Sequence, residues 1–404
     1  MKRFSSVAVI CAVASLVAVF GSGAASASGG GTIAIGGLTS LTSTFTPWGI
    51  QARDGMQFAV NQIDAAGGVK GKGGGRKLQL FVADDTSSAS GGIAAWKQLV
   101  QSDHVVSVGG VIDSDVAVAT APMSEKAKIP MFLTKAGTSS ILTLKSRYTF
   151  RTCLPAAAEV AAPILQYAKA KGLTSIGAIV ADYAWGYSIK SSLEATFATD
   201  PQIHLNIQDA PVTATSFTPY LQALQNDHVQ MIIATGHPPG SGPILAQSLQ
   251  LGMNVPVVGA YTPFSLVEGA AGKAAFNTWT DFKCEAVNSS GFQSLAAKFL
   301  QAFPKDGFME DDALSGYAYV QIMAKAIAAV GTDTAKISAY IHAHTFNIPG
   351  YTFPLKWTAW GEIADARIAL DQITAGPAPS GDNTAGTWWI SQLSLSSPLK
   401  PYKP

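Results

Sequence analysis

The residues of this chain that could do chemistry are few and badly spaced for it. His342 and His344 are two apart, so on a helix they face different ways and do not share a metal. Asp84-Asp85 and Asp311-Asp312 are acid pairs, but adjacent side chains do not converge on one atom. No Gly-x-Ser-x-Gly elbow presents a nucleophile, and no His-Glu-x-x-His helix holds zinc. Gly71-Lys72-Gly73-Gly74-Gly75-Arg76 lacks the Gly-x4-Gly-Lys-Ser/Thr spacing of a phosphate loop, and it reads as a turn before a strand. Asn288-Ser289-Ser290 fits a glycosylation sequon, which carries no meaning in a bacterial source. The expectation is a protein that is not an enzyme and uses no cofactor and no metal.

What remains is binding, and the elements that would position a binding site are legible. Short apolar runs (Thr32–Ile35, Leu78–Val82, Val105–Val108, Pro130–Leu133, Ser175–Val180, His204–Ile207, Met231–Ala234 and Pro256–Val258) alternate with helix-length amphipathic segments. Ala52, Met56, Val60 and Ile63 fall on one helical face, and Gly67-Gly68 stops that helix; Ile93, Trp96, Leu99 and Val100 repeat the spacing. Strands alternating with helices build β-α-β units and parallel sheets covered on both faces. The pattern restarts after Arg151-Thr152-Cys153-Leu154-Pro155, with about four strands on either side, which reads as two α/β lobes.

In open parallel sheets ligands sit beyond the carboxyl ends of the strands. Those loops are Gly37–Gly49, Asp84–Ser87, Gly109–Asp115 and Thr134–Ser140 in the first lobe, and Ala181–Gly186, Thr235–Ser241 and Gly259–Phe264 in the second. They hold hydroxyls, glycine backbone and the rings of Trp48, Tyr183, Trp185, Tyr261 and Phe264. That composition suits a pocket that sandwiches a small organic molecule.

The amino terminus reads as an export signal. Lys2 and Arg3 precede the apolar run Val7–Phe20, and Ala25-Ser26-Ala27 fits a cleavage site, so residues 1–27 are expected to be removed. Cys11 lies inside that run and would leave with it. Basic residues number 27 and acidic residues 26; the signal takes two basic residues, so the mature chain carries 25 − 26 = −1. That near-neutral balance offers no basic stripe for nucleic acid. Past residue 27 no stretch reads as apolar for long enough to cross a bilayer. Only Cys153 and Cys284 remain after processing, and in an oxidising compartment they are either paired or separately buried.

The order of these features resembles a known family. Thr32-Ile33-Ala34-Ile35-Gly36-Gly37, the helix-like Ala52–Asp64, Gly67-Gly68-Val69-Lys70-Gly71, Leu78–Asp85, Gly109–Ser114 and Ala136-Gly137-Thr138 together resemble the type I solute-binding proteins of ABC importers, the leucine/isoleucine/valine-binding branch. The resemblance runs over about residues 32–370. It implies two doubly wound parallel-sheet lobes of α/β class joined by a three-strand hinge. The crossings would fall near Arg151–Leu154, Phe282–Val287 and Gly350–Trp357, and the helix Leu314–Val330 would return to the first lobe. Both mature cysteines then sit at crossings, which makes a hinge disulfide an expectation of the resemblance. The lobes would comprise 28–151 plus 286–350 and 152–285 plus 351–390, with 391–404 a loosely docked tail.

The resemblance also implies site residues. Trp48 would close over a ligand from the first lobe, and Trp185 from the second. Ser114 would hold a ligand carboxylate at a helix N-terminus. Ala136 would offer a carbonyl, and Thr138 a hydroxyl, to an amino group. His237 falls where another aromatic often sits. Each has a plainer alternative: Ser114 as a helix cap, the tryptophans as core, Thr138 and His237 as ordinary loop residues. Two departures stand out. Tyr261 occupies the position where amino-acid binders of the family carry an acid, and Asp113 stands beside Ser114, where it would repel a carboxylate or pair an ammonium.

The expected function is capture of a small organic solute, amino-acid-like and possibly aromatic or amide, by a monomer exported to the periplasm or cell surface, with delivery to a membrane permease. The alternatives are a ligand sensor on the same fold signalling to a membrane receptor and, against the missing nucleophile, an exported hydrolase.

Overall fold

A computed structural model of the protein describes residues 31–377 and 387–404. The leader expected over residues 1–27 lies outside the described residues. The first sheet is built from β1 (Ile33–Thr39), α1 (Thr46–Ala65), β2 (Leu78–Asp84), α2 (Ala89–Lys97), β3 (Val108–Val111), α3 (Ser114–Ala127), β4 (Met131–Leu133) and β5 (Thr149–Arg151). Its strand order is β2-β1-β3-β4-β5, and every pairing is parallel. β3 starts three residues later than the apolar run Val105–Val108 suggests, because it runs through Gly109-Gly110. A Cβ on Gly109 would lie 2.3 Å from the Tyr319 ring, so that buried strand takes glycine where an aromatic presses on it.

The chain then crosses to a second unit. It comprises α4 (Ala157–Ala170), β6 (Ser175–Ala181), α5 (Ala184–Phe197), β7 (His204–Ala210), α6 (Thr218–Asn226), β8 (Met231–Ile233), α7 (Ser241–Gln250), β9 (Val257–Ala260), α8 (Phe264–Ala271) and β10 (Trp279–Lys283). After α9 (Ser290–Ala302), α10 (Asp311–Val330) and α11 (Thr334–Ala343) come β11 (Ala369–Ala375) and β12 (Trp388–Leu395). The second sheet runs β12-β11-β10-β9-β8-β6-β7. β6 to β10 pair in parallel, whereas β11 and β12 close the edge antiparallel.

This edge changes the reading of the carboxyl end. Ser391–Leu395, expected to begin a loose tail, complete β12. Beyond it the backbone stays tied down. Leu399 N donates to Ala366 O at 2.8 Å and Tyr402 N to Glu159 Oε1 at 3.0 Å, while Trp360 Nε1 donates to Tyr402 O at 3.1 Å. Alternating buried positions in β12 are hard to see through its serines and glutamine, which is why composition misleads there.

α10 packs on the first sheet although it follows the second in sequence. Tyr319 donates from its hydroxyl to Gly36 O at 3.1 Å and shares a 2.8 Å hydrogen bond with Ser107. Against α1 the contact is backbone on backbone. A Cβ on Gly55 would lie 2.0 Å from Ala313 O, and one on Gly316 would lie 2.3 Å from Ala52 O. α10 is also long and apolar enough to cross a membrane by length and composition, contrary to the reading of the sequence. With 67% of its most apolar window buried in the protein, it is a core helix.

Cys153 and Cys284 form a disulfide between the segment after β5 and the segment after β10. Both are fully buried.

Candidate functional site

The carboxyl ends of the two sheets face each other across a small cavity of about 30 Å³. Phe45, Trp48, Ile112, Ser114 and Lys135 line it from the first sheet's side. Leu154 lines it at the crossing, and Tyr183, Trp185, Pro238, Ala260 and Tyr261 from the second sheet's side. Its rings are well buried: Trp48, Trp185 and Tyr261 are each less than 5% exposed.

Local sequence explains how each ring is aimed. Pro47 opens α1 and places Trp48 in its first turn. Trp185 lies in the first turn of α5 and donates from Nε1 to Thr235 O at 2.8 Å. Gly137 lets the opposing loop pass close by, since a Cβ there would lie 2.4 Å from the Trp185 ring. Phe45 and Tyr183 meet across the cleft with centroids 5.4 Å apart. Tyr261 sits at φ +59°, a left-handed conformation unusual for a bulky residue. Its N–H donates to Phe282 O at 2.9 Å and its carbonyl accepts from Lys135 Nζ at 2.7 Å, so both backbone groups are held.

The polar side of the cavity belongs to Lys135 and Ser114. Lys135 Nζ is 2.7 Å from Asp311 Oδ1 and 3.2 Å from Asp312 Oδ2, both at the start of α10. Burial pushes the Asp311 carboxyl up, but the Lys135 and Lys283 ammonium groups outweigh it and hold that carboxyl below its usual range. Burial raises Asp312 despite Lys135. Behind this pair, Glu285, Glu310 and Asp311 bring carboxylate oxygens within 4.8 Å of one another. The protein's own cation occupies that cluster, because Lys283 Nζ stands 3.1 Å from Asp311, 3.7 Å from Glu310 and 3.9 Å from Glu285. Glu310 also caps α8, accepting from Phe264 N at 3.1 Å and Ser265 N at 3.0 Å.

Of the eight residues singled out in sequence, four line the cavity: Trp48, Ser114, Trp185 and Tyr261. The other four are engaged elsewhere. Asp113 caps α3, accepting from Asp115 N at 2.9 Å, and burial pushes its carboxyl up to about 7. The Ala136 carbonyl accepts from the Arg151 guanidinium and is absent from the cavity lining among the described residues. Thr138 donates its hydroxyl to Ala184 O. His237 accepts from Gly240 N at 3.0 Å through Nδ1 and places Nε2 2.8 Å from Pro211 O. His342 and His344 do not converge, since His342 bonds the carbonyls of Arg147 and Thr358 while His344 stacks on Tyr340.

Phe45, Ile112, Lys135, Leu154, Pro238 and Ala260 were not singled out. Lys135 is the costliest omission. A lone lysine one residue before Ala136 carries no sequence signal of its own, because its partners lie about 176 positions away. The fact that Thr134–Ser140 follows a strand and precedes no long helix was the one available hint.

A profile of the periplasmic binding protein family matches residues 32–368. Among curated proteins the chain is similar to the Leu/Ile/Val-binding protein BraC3 of Rhizobium johnstonii, 27% identical over 356 residues, covering 85% of this chain and 92% of that one. It is also similar to Leu/Ile/Val-binding protein homolog 3 of Brucella melitensis biotype 1, 24% identical over 321 residues, covering 77% and 83%. Among solved structures, an ABC transporter solute-binding protein of R. palustris in complex with benzoate superposes with a TM-score of 0.76 at 20% identity, covering 92% of this chain and 98% of that one. The branched-chain amino acid transporter substrate-binding protein LivJ of Streptococcus pneumoniae, in complex with isoleucine, gives 0.75 at 18%, covering 89% and 100%.

Proposed function

From the membership of this chain in the periplasmic binding protein family, in its type I leucine/isoleucine/valine-binding branch, we propose that it captures a small organic solute in the aromatic cavity between its two sheets and delivers it to an ABC importer. The observation that carries the reading is the cavity itself. It lies at the carboxyl ends of both sheets, where parallel α/β folds bind ligands, and rings from both sides wall it. The solute touches one side in the open form. Closure adds contacts from the other, and that differential affinity selects the closed shape that a permease reads. Ser114, Trp48, Trp185 and Tyr261 contact the solute. The protein works outside the cytoplasm, does no covalent chemistry and acts as a monomer. Relatives named for leucine, isoleucine and valine, and neighbours holding isoleucine or benzoate, bracket the size of solute.

The test is a thermal-shift screen of the protein from Ser28 onward against amino acids, aromatic acids, amides and sugars. A ligand that binds only the folded state at 100 times its Kd stabilises by about 2.7 kcal/mol, an easily read shift. A response to one chemical class supports the reading. No response to any solute in a broad panel argues against it.

A further inference from the structure

Among the described residues no carboxylate lines the cavity, although Asp311 and Asp312 lie just behind it. Both acids are fully buried, and what the cavity meets in front of them is Lys135. An ammonium has three N–H donors. Lys135 donates to Asp311 Oδ1 at 2.7 Å and to Tyr261 O at 2.7 Å, and its charge stands 3.2 Å from Asp312 Oδ2 as an ion pair without a hydrogen bond. Nζ also lies 5.6 Å from the centre of the Tyr261 ring. These are the groups a ligand's ammonium would approach, and a tethered ammonium already stands between them and the cavity.

The remaining polar groups suit the opposite charge. Ser114 is 2% exposed, lies at the start of the fourteen-residue helix α3, and its hydroxyl has no partner among the described residues. The Tyr261 hydroxyl is buried without a hydrogen-bond partner among the described residues. Asp113 turns its carboxylate onto Asp115 N and does not line the cavity. A helix start with a free buried hydroxyl accepts a carboxylate. An ammonium brought here would be desolvated beside the like charge of Lys135, which shields Asp311 and Asp312 from it.

We propose that Lys135 is the specificity-determining residue of this site: its ammonium stands in for the amino group of an amino acid, so the cavity takes a carboxylic acid with an apolar or aromatic body and no α-ammonium. This rests on the solute-capture reading above and narrows it.

The experiment is calorimetric titration of the full mature chain with matched pairs: 3-phenylpropanoate against phenylalanine, phenylacetate against phenylglycine, and 4-methylpentanoate against leucine. The acid lacking the amino group binds at least tenfold more tightly in one or more pairs. In Lys135→Ala, which bares Asp311 and Asp312 toward the cavity, the preference narrows at least tenfold, and added ethylammonium strengthens binding of the des-amino acid. Amino acids binding as tightly as their des-amino partners in every pair that binds to the wild type overturn the inference and leave solute capture standing. The same holds if another class of solute binds and none of these acids does. Failure of every solute, in these pairs and in the broad screen, overturns the solute-capture reading along with it. The wild-type comparison decides even if Lys135→Ala does not fold.

Discussion

The backbone N–H of Ser139, in the loop after β4, donates to Ser188 Oγ on α5 across 3.0 Å. Beside it Asp115 Oδ1 accepts from Ala184 N at 3.1 Å, and Thr138 donates to Ala184 O. These contacts bridge the two sheets' loops directly, and on the closure reading they favour the closed form. A carboxylate at the first turn of α5 also meets the positive end of that helix.

Loss of this clasp therefore weakens solute binding from a distance. In Asp115→Ala with Ser188→Ala, the closed form loses a charged and a neutral hydrogen bond, each replaceable by water in the open form. Apparent affinity falls in proportion to the closed population, by about tenfold for ~1.4 kcal/mol. Calorimetry reads the affinity, and small-angle scattering of the unliganded protein reads a larger radius of gyration. Unchanged values in both would show that the clasp contributes nothing to closure.

The ring walls make a separate prediction. Trp48→Ala and Trp185→Ala each remove a large buried contact, and each weakens solute binding by at least ~10-fold, a loss on the order of 1.4 kcal/mol. Trp185→Ala also leaves the Thr235 carbonyl without the indole N–H, so it costs more stability than Trp48→Ala. Circular dichroism melts separate the two effects. Retained affinity in both variants would remove these rings from the site.

Much of this was legible in the chain. The glycine-rich Gly71–Arg76 turn is marked by its composition, and the Leu78–Val82 run and the Ala52–Ile63 stripe follow from local periodicity, which sees elements whose partners are near in sequence. The rings of Trp48 and Trp185 were legible because each stands where a strand-end loop passes into a helix. What escaped depends on contacts far apart in the chain. The Ala136 carbonyl looks free until Arg151 folds back on it, and Asp113 looks like a ligand group until α3 claims it as a cap. Lys135 is invisible without Asp311 and Tyr261. β12 was missed because its outward serines and glutamine resemble a tail.

The disulfide makes a prediction about stability. Cys153 and Cys284 close a loop of 131 positions between two segments that link the sheets. In the chain-entropy view such a loop stabilises by about 4–5 kcal/mol, mainly by restricting the unfolded chain. Non-reducing peptide mapping finds the two cysteines in one linked peptide pair. Cys153→Ser with Cys284→Ser lowers the urea midpoint by an amount on the order of that energy, and reductant no longer affects it. Two free thiols in the mature, oxidised protein would contradict the bridge.

Stability should also fall as pH rises through neutrality. Burial pushes the carboxyl of Asp281 up to about 7, with Lys283 acting against it, and pushes Asp85 up to about 6. Burial also raises Glu285 and Asp371 well above the ordinary range. Each of these groups binds its proton more tightly when folded than when unfolded. Between the ordinary carboxylate range near 4 and the raised values near 7, the folded state therefore holds more protons, and unfolding releases them. By linkage, stability declines as pH climbs through that window. The surface acids whose carboxyls are lowered, Asp84 and Asp333 among them, act the other way only below about pH 4, and His237, lowered by burial, opposes the decline up to about pH 6.5 as one group against several. The melting temperature is accordingly higher at pH 5 than at pH 8. One pKa unit in one group corresponds to about 1.4 kcal/mol, so the difference in unfolding free energy reaches at least that size. Asp281→Asn, which keeps a group able to accept from Trp279 Nε1 and Thr262 N, flattens the decline without abolishing it. Urea titrations at pH 5, 6, 7 and 8 measure both slopes, and a wild-type curve that rises toward pH 8 would show that these buried carboxyls are ionised and paired instead.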